Sequence, residues 1–308
     1  MSSTITGVVP PVITPLTEDR RYDEASSERN INRMLEAGVH GLFILGSSGE
    51  AAFTADAERE QILESAIRIT AGRVPVLAGV IDTQYARVLQ HVRVAEKLGA
   101  DAIVATAPFY ALGGVDQVEE HFRALRRATD LPIFAYDIPV CVNGVKLPPA
   151  LLLRLAEDGV IQGVKDSSGD DVSFRALTLA NRKATNKMSL LTGHEVVVDG
   201  AYMSGADGSV PGLGNVDPAG YVRQWNAYQA GDWNAVRAEQ DRLADLMTIV
   251  GAAQNLVGYG AGVGAFKTAL NLLGVIETNQ MPEPVRRLAG AEIDAVAEIL
   301  DRNGLQAS

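Results

Sequence analysis

The sequence of 308 residues is poor in cysteine, histidine and basic side chains. Its single cysteine, Cys141, excludes an intrachain disulfide and gives no sign of a secreted disulfide scaffold. Its four histidines lack the spacing of metal ligands, so we expect no metal site. The formal net charge of −11 argues against nucleic acid or an anionic membrane as a partner, because both are bound by basic patches.

Long apolar runs are also missing. None approaches the roughly 20 residues that a helix needs to cross a bilayer, and segment 1–16 lacks the basic start and apolar stretch of a signal peptide. We therefore expect a cytoplasmic protein. A hydrophobic content of 47% with 21% charged residues is sufficient for a large core and argues against disorder.

What the sequence does contain is a series of short apolar runs that alternate with segments of helical period. Continuous rather than alternating hydrophobicity is typical of parallel strands that are buried on both faces. The predicted strands are 7–16, 40–46, 74–80, 102–108, 132–139, 161–167, 189–193 and 208–212.

A recurring motif, the phrase AGVHG, LGADA, DGVIQG or SGADG, connects predicted helices to the strands that follow them. Each phrase places a glycine where a helix ends and the backbone must become left-handed. Eight such units predict a (β/α)₈ TIM barrel over residues 1–230. A doubly wound open sheet is the alternative, although it usually has fewer strands.

Strand signals stop after about residue 230, where a C-terminal helical extension, 231–308, is predicted to pack on the barrel. Its predicted helices are 233–250, 264–273 and 291–301. The glycine-rich stretch 260–264 resembles a dinucleotide fingerprint, but no strand precedes it, so we interpret it as a loop before a helix.

Candidate chemistry lies where the predicted strands end, because barrel active sites form at that face. Lys165 closes the apolar run GVIQGVK and should point into the barrel mouth. A desolvated amine there is a nucleophile toward ketones. The alternative is a lysine that reaches solvent or pairs with Asp166.

Two further strand ends carry polar groups. The GSSGE turn offers the hydroxyls of Ser47 and Ser48 with free backbone N–H groups, which suits a carboxylate, or it is an ordinary turn. Tyr136 lies inside the apolar run FAYDIP and either relays protons or is a core tyrosine with a satisfied hydroxyl.

Taken in order, GSSGE, APFY, YDIP, GVKDSSGD and GADGSVPG resemble the dihydrodipicolinate synthase / N-acetylneuraminate lyase family of pyruvate-dependent class I aldolases. The resemblance runs from GVVPPVITPL to FKTALNLLG, nearly the whole chain. It implies that Lys165 forms a Schiff base with pyruvate, that Ser47 and Ser48 hold the substrate carboxylate, and that Tyr136 shuttles protons. No metal or diffusible cofactor is then needed.

The resemblance further implies that Tyr110 is a catalytic residue that reaches across a tight dimer interface, and that the protein is a homotetramer, a dimer of dimers. We also expect Gly193, Glu195 and Val210 to contact the substrate, because they lie at or beyond the ends of the last two strands.

The sequence does not decide which activity of this family the protein has. The synthases carry YNVPxRTG on the fifth strand, whereas this chain has YDIPVCVNGVKL, with Cys141 near the place of the arginine. We therefore favour a sugar-acid-like substrate near Asp137 and His194. The alternatives are a dihydrodipicolinate synthase and a 2-keto-3-deoxy sugar acid dehydratase. A sugar-phosphate isomerase and a non-catalytic metabolite-binding homologue represent other classes.

Overall fold

A computed structural model describes residues 4–306, in which eight strands alternate with the first eight of eleven α-helices. All strand pairs are parallel, in the order β1-β8-β7-β6-β5-β4-β3-β2. The strands are β1 (Gly7–Val8), β2 (Leu42–Ile44), β3 (Val76–Gly79), β4 (Ala102–Thr106), β5 (Ile133–Asp137), β6 (Gly163–Asp166), β7 (Ser189–Thr192) and β8 (Gly208–Ser209).

The remaining seam joins the first strand segment to β2 and closes the barrel. Pro11 and Phe43 form a parallel bridge, in which Val12 N–H donates to the Phe43 carbonyl at 2.9 Å and Phe43 N–H donates to the Pro10 carbonyl at 3.0 Å. The predicted (β/α)₈ barrel is therefore confirmed.

The strands are shorter than their apolar runs predict. The first run, 7–16, contributes only β1 and isolated bridges at Pro11 and Leu16. Three of its residues are prolines, which have no N–H to donate to a ladder. The predicted strand 208–212 stops at Ser209, and Pro211 follows.

The first eight helices surround the barrel, and the expected glycines end several of them. Gly38, Gly99, Gly159 and Gly205 all have positive φ, as the four recurring phrases predict. The helices are α1 (Glu24–Glu36), α2 (Asp56–Thr70), α3 (Tyr85–Leu98), α4 (Val115–Ala128), α5 (Pro149–Glu157), α6 (Asp171–Asn181), α7 (Val198–Ser204) and α8 (Pro218–Gln229).

Three further helices follow: α9 (Trp233–Met247), α10 (Tyr259–Leu272) and α11 (Ala291–Arg302). The prediction of a loop at 260–264 is wrong, because this stretch forms the first turns of α10. Its glycines permit close packing: a Cβ on Gly264 would lie 2.9 Å from a Leu288 methyl. The division of the chain at residue 230 stays a prediction. No helix of the described residues is long and apolar enough to span a membrane.

Buried side chains form two layers. The larger layer lies between the barrel and its helices. The smaller layer, which we name the inner cluster, is built from alternate strand residues and fills the barrel. Its members are Ile5, Val9, Phe43, Leu77, Ala102, Val104, Phe134, Tyr136, Ile138, Leu191 and Val210.

Candidate active site

Lys165 lies in the mouth of the barrel on β6. Its neighbours in the strand register are Tyr136 on β5 and Leu191 on β7, both members of the inner cluster. The side chain is 5% exposed, and its Nζ lies 4.1 Å from the centre of the Tyr136 ring and 4.8 Å from that of Phe43. The sequence-predicted nucleophile is thus enclosed by aromatic rings.

Tyr136 and Phe43 form the aromatic wall beside this amine. Their rings meet edge to face with centres 6.2 Å apart, and both residues are buried. Tyr136 is predicted from the sequence, whereas Phe43 is not, because its position in LFI carries no polar signal.

Gly193 makes room for the lysine. A Cβ at this position would lie 3.1 Å from Lys165 Cε and 2.1 Å from the Ser167 hydroxyl, so a larger residue would displace the amine. Gly193 N–H also donates to the Asp166 carbonyl at 2.6 Å, which fixes the end of β7 against β6. Val210 lies in the inner cluster together with Phe43 and Tyr136.

The GSSGE turn presents Ser47 and Ser48, both half-buried, beyond β2. Thr14 donates its hydroxyl to the Gly49 carbonyl at 2.7 Å and holds the turn from the first strand segment. Glu50 adopts a left-handed conformation with φ 60°, which reverses the chain into a short 3₁₀ turn at Ala51–Phe53.

Glu50 does not face a substrate. Its carboxylate accepts from Lys267 Nζ at 2.8 Å and from the Tyr259 hydroxyl at 2.5 Å, both on α10. Burial raises the pKa of Glu50 and lowers the pKa of Lys267. The charge of each residue opposes the pKa shift that burial causes in the other. This buried pair ties the serine turn to the C-terminal helices. The pair is not among the predicted site residues, although the lysine in the apolar stretch FKTALNLLG is a signal in the sequence.

Glu195 approaches the site from the loop after β7. Its carboxylate accepts from Leu213 N–H at 2.6 Å, at the start of a 3₁₀ turn after β8 (Gly212–Asn215). Burial raises the pKa of Glu195 to about 7, while the Leu213 N–H and the Lys165 charge oppose the rise. The carboxyl group therefore lies within electrostatic reach of Lys165.

Cys141 ends a 3₁₀ turn after β5 (Pro139–Cys141), next to the serine turn. Burial raises the pKa of its thiol, opposed by the Ser47 hydroxyl and the Lys165 charge. The residue as a whole is exposed. A cavity of about 270 Å³ opens beside both Cys141 and Ser47.

Asp137 does not line the substrate space, and the expectation that it suits a hydroxyl-bearing substrate is wrong. It is fully buried, pairs with Lys146 and accepts from Leu147 N–H at 3.1 Å. Lys146 Nζ also lies 3.8 Å from Asp166. Strand alternation turns Asp137 outward because its neighbour Tyr136 points into the barrel. His194 is partly exposed, with Nδ1 3.8 Å from Asp171.

Tyr110 lies outside the site of its own chain. It is 87% exposed in the loop between β4 and α4 and has φ 72°, a left-handed conformation that is strained for a bulky residue. An intrachain catalytic role is therefore not supported by its position, whereas an exposed side chain is available to a second subunit.

Three potential metal ligands, Asp56, Asp82 and His91, come together beside α2 and α3. Arg87 donates to both carboxylates, at 3.2 and 2.9 Å, and His91 Nε2 lies 3.0 Å from Asp82. The group is thus an ion-pair network. The expectation of no metal site stays a prediction.

The chain is similar in sequence to known proteins. Residues 4–303 match the model of the dihydrodipicolinate synthetase family. An uncharacterized DapA-like lyase of Halobacterium salinarum is 34% identical over 283 residues, covering 92% of this chain and 88% of that protein. A 4-hydroxy-tetrahydrodipicolinate synthase of Phenylobacterium zucineum is 31% identical over 291 residues, covering 93% and 94%.

A solved structure extends the likeness to three dimensions. YagE of E. coli K12, described as a prophage protein of the dihydrodipicolinic acid synthase family in complex with pyruvate, has a TM-score of 0.91 at 27% identity. The alignment covers 97% of this chain and 99% of that one.

Proposed function

The chain belongs to the dihydrodipicolinate synthetase family and is an enzyme of the lyase class, and from this we propose that it binds pyruvate as a Schiff base on Lys165. The observation that carries the proposal is the buried Lys165 amine, 4.1 Å from the Tyr136 ring. A pyruvate complex of the family member YagE supports it.

In the proposed reaction, Lys165 Nζ attacks the ketone carbon of pyruvate, and loss of water leaves a protonated imine. Tyr136, adjacent to the amine, transfers the protons of these steps. The imine withdraws electrons, so loss of a methyl proton gives an enamine. The enamine carbon then attacks an aldehyde, or the reverse steps cleave that C–C bond. The lysine supplies the electron sink, and a separate cofactor is not needed.

We propose that Ser47 and Ser48 hold the pyruvate carboxylate. Removing a hydrogen bond to a charged group costs about 1.5–3 kcal/mol. Ser48→Ala should therefore weaken pyruvate binding by roughly 10- to 100-fold, measured as the concentration dependence of borohydride trapping. Ser204→Ala removes a hydroxyl that donates to the Gly200 carbonyl on α7 and is the control. Unchanged affinity in both Ser47→Ala and Ser48→Ala would place the carboxylate elsewhere.

Glu195 gives a pH-dependent prediction. Its pKa of about 7 in the fold lies above the ordinary 4.5, so its contribution to stability is present below pH 4.5 and is lost as pH rises through about 7. From about pH 5 to about pH 8, the unfolding free energy should fall by about 1–3 kcal/mol relative to Glu195→Gln.

Urea unfolding at several pH values checks this, with Glu298→Gln on the exposed face of α11 as the control. Parallel pH dependence in the wild type and Glu195→Gln would show that the carboxyl group does not titrate near neutrality.

We further propose that Gly193, Glu195 and Val210 border the bound substrate.

The aldehyde partner is not fixed by the pyruvate site. The relative from Phenylobacterium zucineum is a 4-hydroxy-tetrahydrodipicolinate synthase, which supports that activity as a second candidate. The position after β5 argues against it, because Cys141 offers only a weak S–H donor and Lys146 is paired with Asp137. Efficient turnover of aspartate semialdehyde in a coupled assay would decide for the synthase.

We propose that the protein is a homotetramer, a dimer of dimers, acting in the cytoplasm. Two separate groups of exposed large hydrophobic side chains support two kinds of interface. One includes Tyr110 and the other lies on α6 and α7. The first group is Phe53, Tyr85, Tyr110, Leu112 and Val115, and the second is Val172, Leu179 and Met203.

Light scattering should give the mass of four chains. Val172 and Leu179 are seven positions apart on α6 and share one helix face. Leu179→Asp should therefore yield dimers, because it places a charge in only one interface. A monomeric wild type would contradict the proposal.

A further inference from the structure

The cavity beside Cys141 lies at the barrel mouth, next to the groups that handle pyruvate. Ser47 borders both the cavity and the proposed carboxylate site. Thr106 also lines it and is the register neighbour of Tyr136, whose ring contacts Lys165. A molecule in this cavity is thus within reach of an enamine formed on Lys165.

The walls of the cavity are mostly apolar. None of the lining side chains within the described part of the chain is charged. Tyr259 adds a phenol, but its hydroxyl is already donated to Glu50 at 2.5 Å. The remaining polar atoms belong to Ser47, Thr106 and Cys141, and the apolar lining is formed by Ala51, Ala52, Phe53, Ile81, Phe109 and Val142.

This lining is unsuited to a polyhydroxylated or carboxylate-bearing group. A hydroxyl that leaves water without finding a partner loses hydrogen bonds. A second carboxylate would meet no cation among these residues, and Ser47 is already assigned to the carboxylate of pyruvate. The second expected polar partner, Asp137, is turned away and paired with Lys146. The sugar-acid-like substrate expected from sequence is therefore disfavoured.

On the basis of the proposed function, we propose that the cavity binds the apolar tail of an aldehyde, alkyl or aryl. Its volume of about 270 Å³ is ample, because cavities of about 150 Å³ hold benzene. The enamine carbon would bond to the aldehyde carbon, the aldehyde oxygen would take a proton, and water would hydrolyse the resulting imine to free Lys165. The reverse reaction would release the same aldehyde and pyruvate.

A panel of small aldehydes tests the inference, with saturating pyruvate and pyruvate consumption as the readout. Pentanal, erythrose and succinic semialdehyde represent apolar, hydroxylated and carboxylate-bearing chains of similar length. We expect kcat/KM for pentanal to exceed that for each of the others by roughly 10- to 100-fold. Equal or higher efficiency with erythrose or succinic semialdehyde overturns the inference.

A matched pair of variants locates the effect. Val142→Thr keeps the shape of a buried lining residue but adds a hydroxyl, and should lower kcat/KM for pentanal by roughly tenfold. Val140→Thr makes the same change on a side chain that is 87% exposed, and should have no effect. Indistinguishable Val142→Thr and Val140→Thr enzymes would show that the tail does not occupy this cavity.

Borohydride trapping with pyruvate alone distinguishes a failure of the apolar-tail inference from a failure of the proposed function. Trapping on Lys165 without a preference for pentanal refutes the apolar-tail inference and leaves the proposed function intact. Failure to trap pyruvate on Lys165 refutes the proposed function, and the inference with it.

Discussion

Lys165→Arg should reduce kcat by roughly 10⁴-fold or more, because a guanidinium preserves the charge but cannot form an imine. The Lys165 amine lies beside the Tyr136 and Phe43 rings, whereas the amine of Lys146 is paired with Asp137. The loss should appear in kcat for pyruvate release or consumption, and added pyruvate should not restore it.

The same substitution at Lys183, an exposed residue that follows α6, is the control and should leave kcat unchanged. Circular dichroism should show that both variants keep their helices. A Lys165→Arg enzyme with more than about one hundredth of the wild-type kcat would be incompatible with nucleophilic catalysis by Lys165.

Lys267→Met should have the largest effect on stability, because it leaves the Glu50 carboxylate buried without its cation. Breaking a buried ion pair by removing one partner costs about 3–5 kcal/mol. Burial already raises the pKa of Glu50, and the loss of Lys267 should raise that pKa further. Urea unfolding measures the cost, and pyruvate affinity should also fall because Glu50 anchors the turn that carries Ser47 and Ser48.

The exposed pair between Lys97 and Glu60 provides the comparison, because its N–O distance is the same 2.8 Å. Lys97→Met should cost much less than Lys267→Met, because solvent screens an exposed ion pair and little stability depends on it. The double variant Glu50→Gln with Lys267→Met should recover much of the lost stability, since it removes the unpaired charge. Equal costs for Lys97→Met and Lys267→Met would refute an anchoring role for the buried pair.

Much of the fold follows from local signals in the sequence. The glycines at the helix ends are a clear case, since the left-handed backbone at Gly99 and Gly205 favours glycine over other residues. Strand lengths are less predictable, because apolar runs such as 7–16 continue beyond the residues that form regular backbone hydrogen bonds in the sheet. The helix over 260–264 does not follow from propensity, because Gly264 is favoured by close packing against Leu288, a contact that the local sequence does not reveal.

The candidate site likewise contains residues that follow from local sequence signals and contacts that do not. Lys165 and Tyr136 could be predicted because a polar residue that ends or interrupts a buried strand is conspicuous in the sequence. The partners of Glu50 and Asp137 could not, because they depend on which loops and helices meet. Glu50 and Lys267 are 217 positions apart, and Lys146 reaches Asp137 only through the path of the loop after β5.

The central claim is a covalent imine between pyruvate and Lys165, and reductive trapping tests it most directly. The protein is incubated with pyruvate and borohydride, digested with trypsin and analysed by mass spectrometry. Because a modified lysine resists trypsin, we expect one reduced pyruvate on an uncut peptide spanning 155–175, with Lys165 as the modified residue. An adduct on another lysine, or no adduct although the protein is folded, would contradict the account.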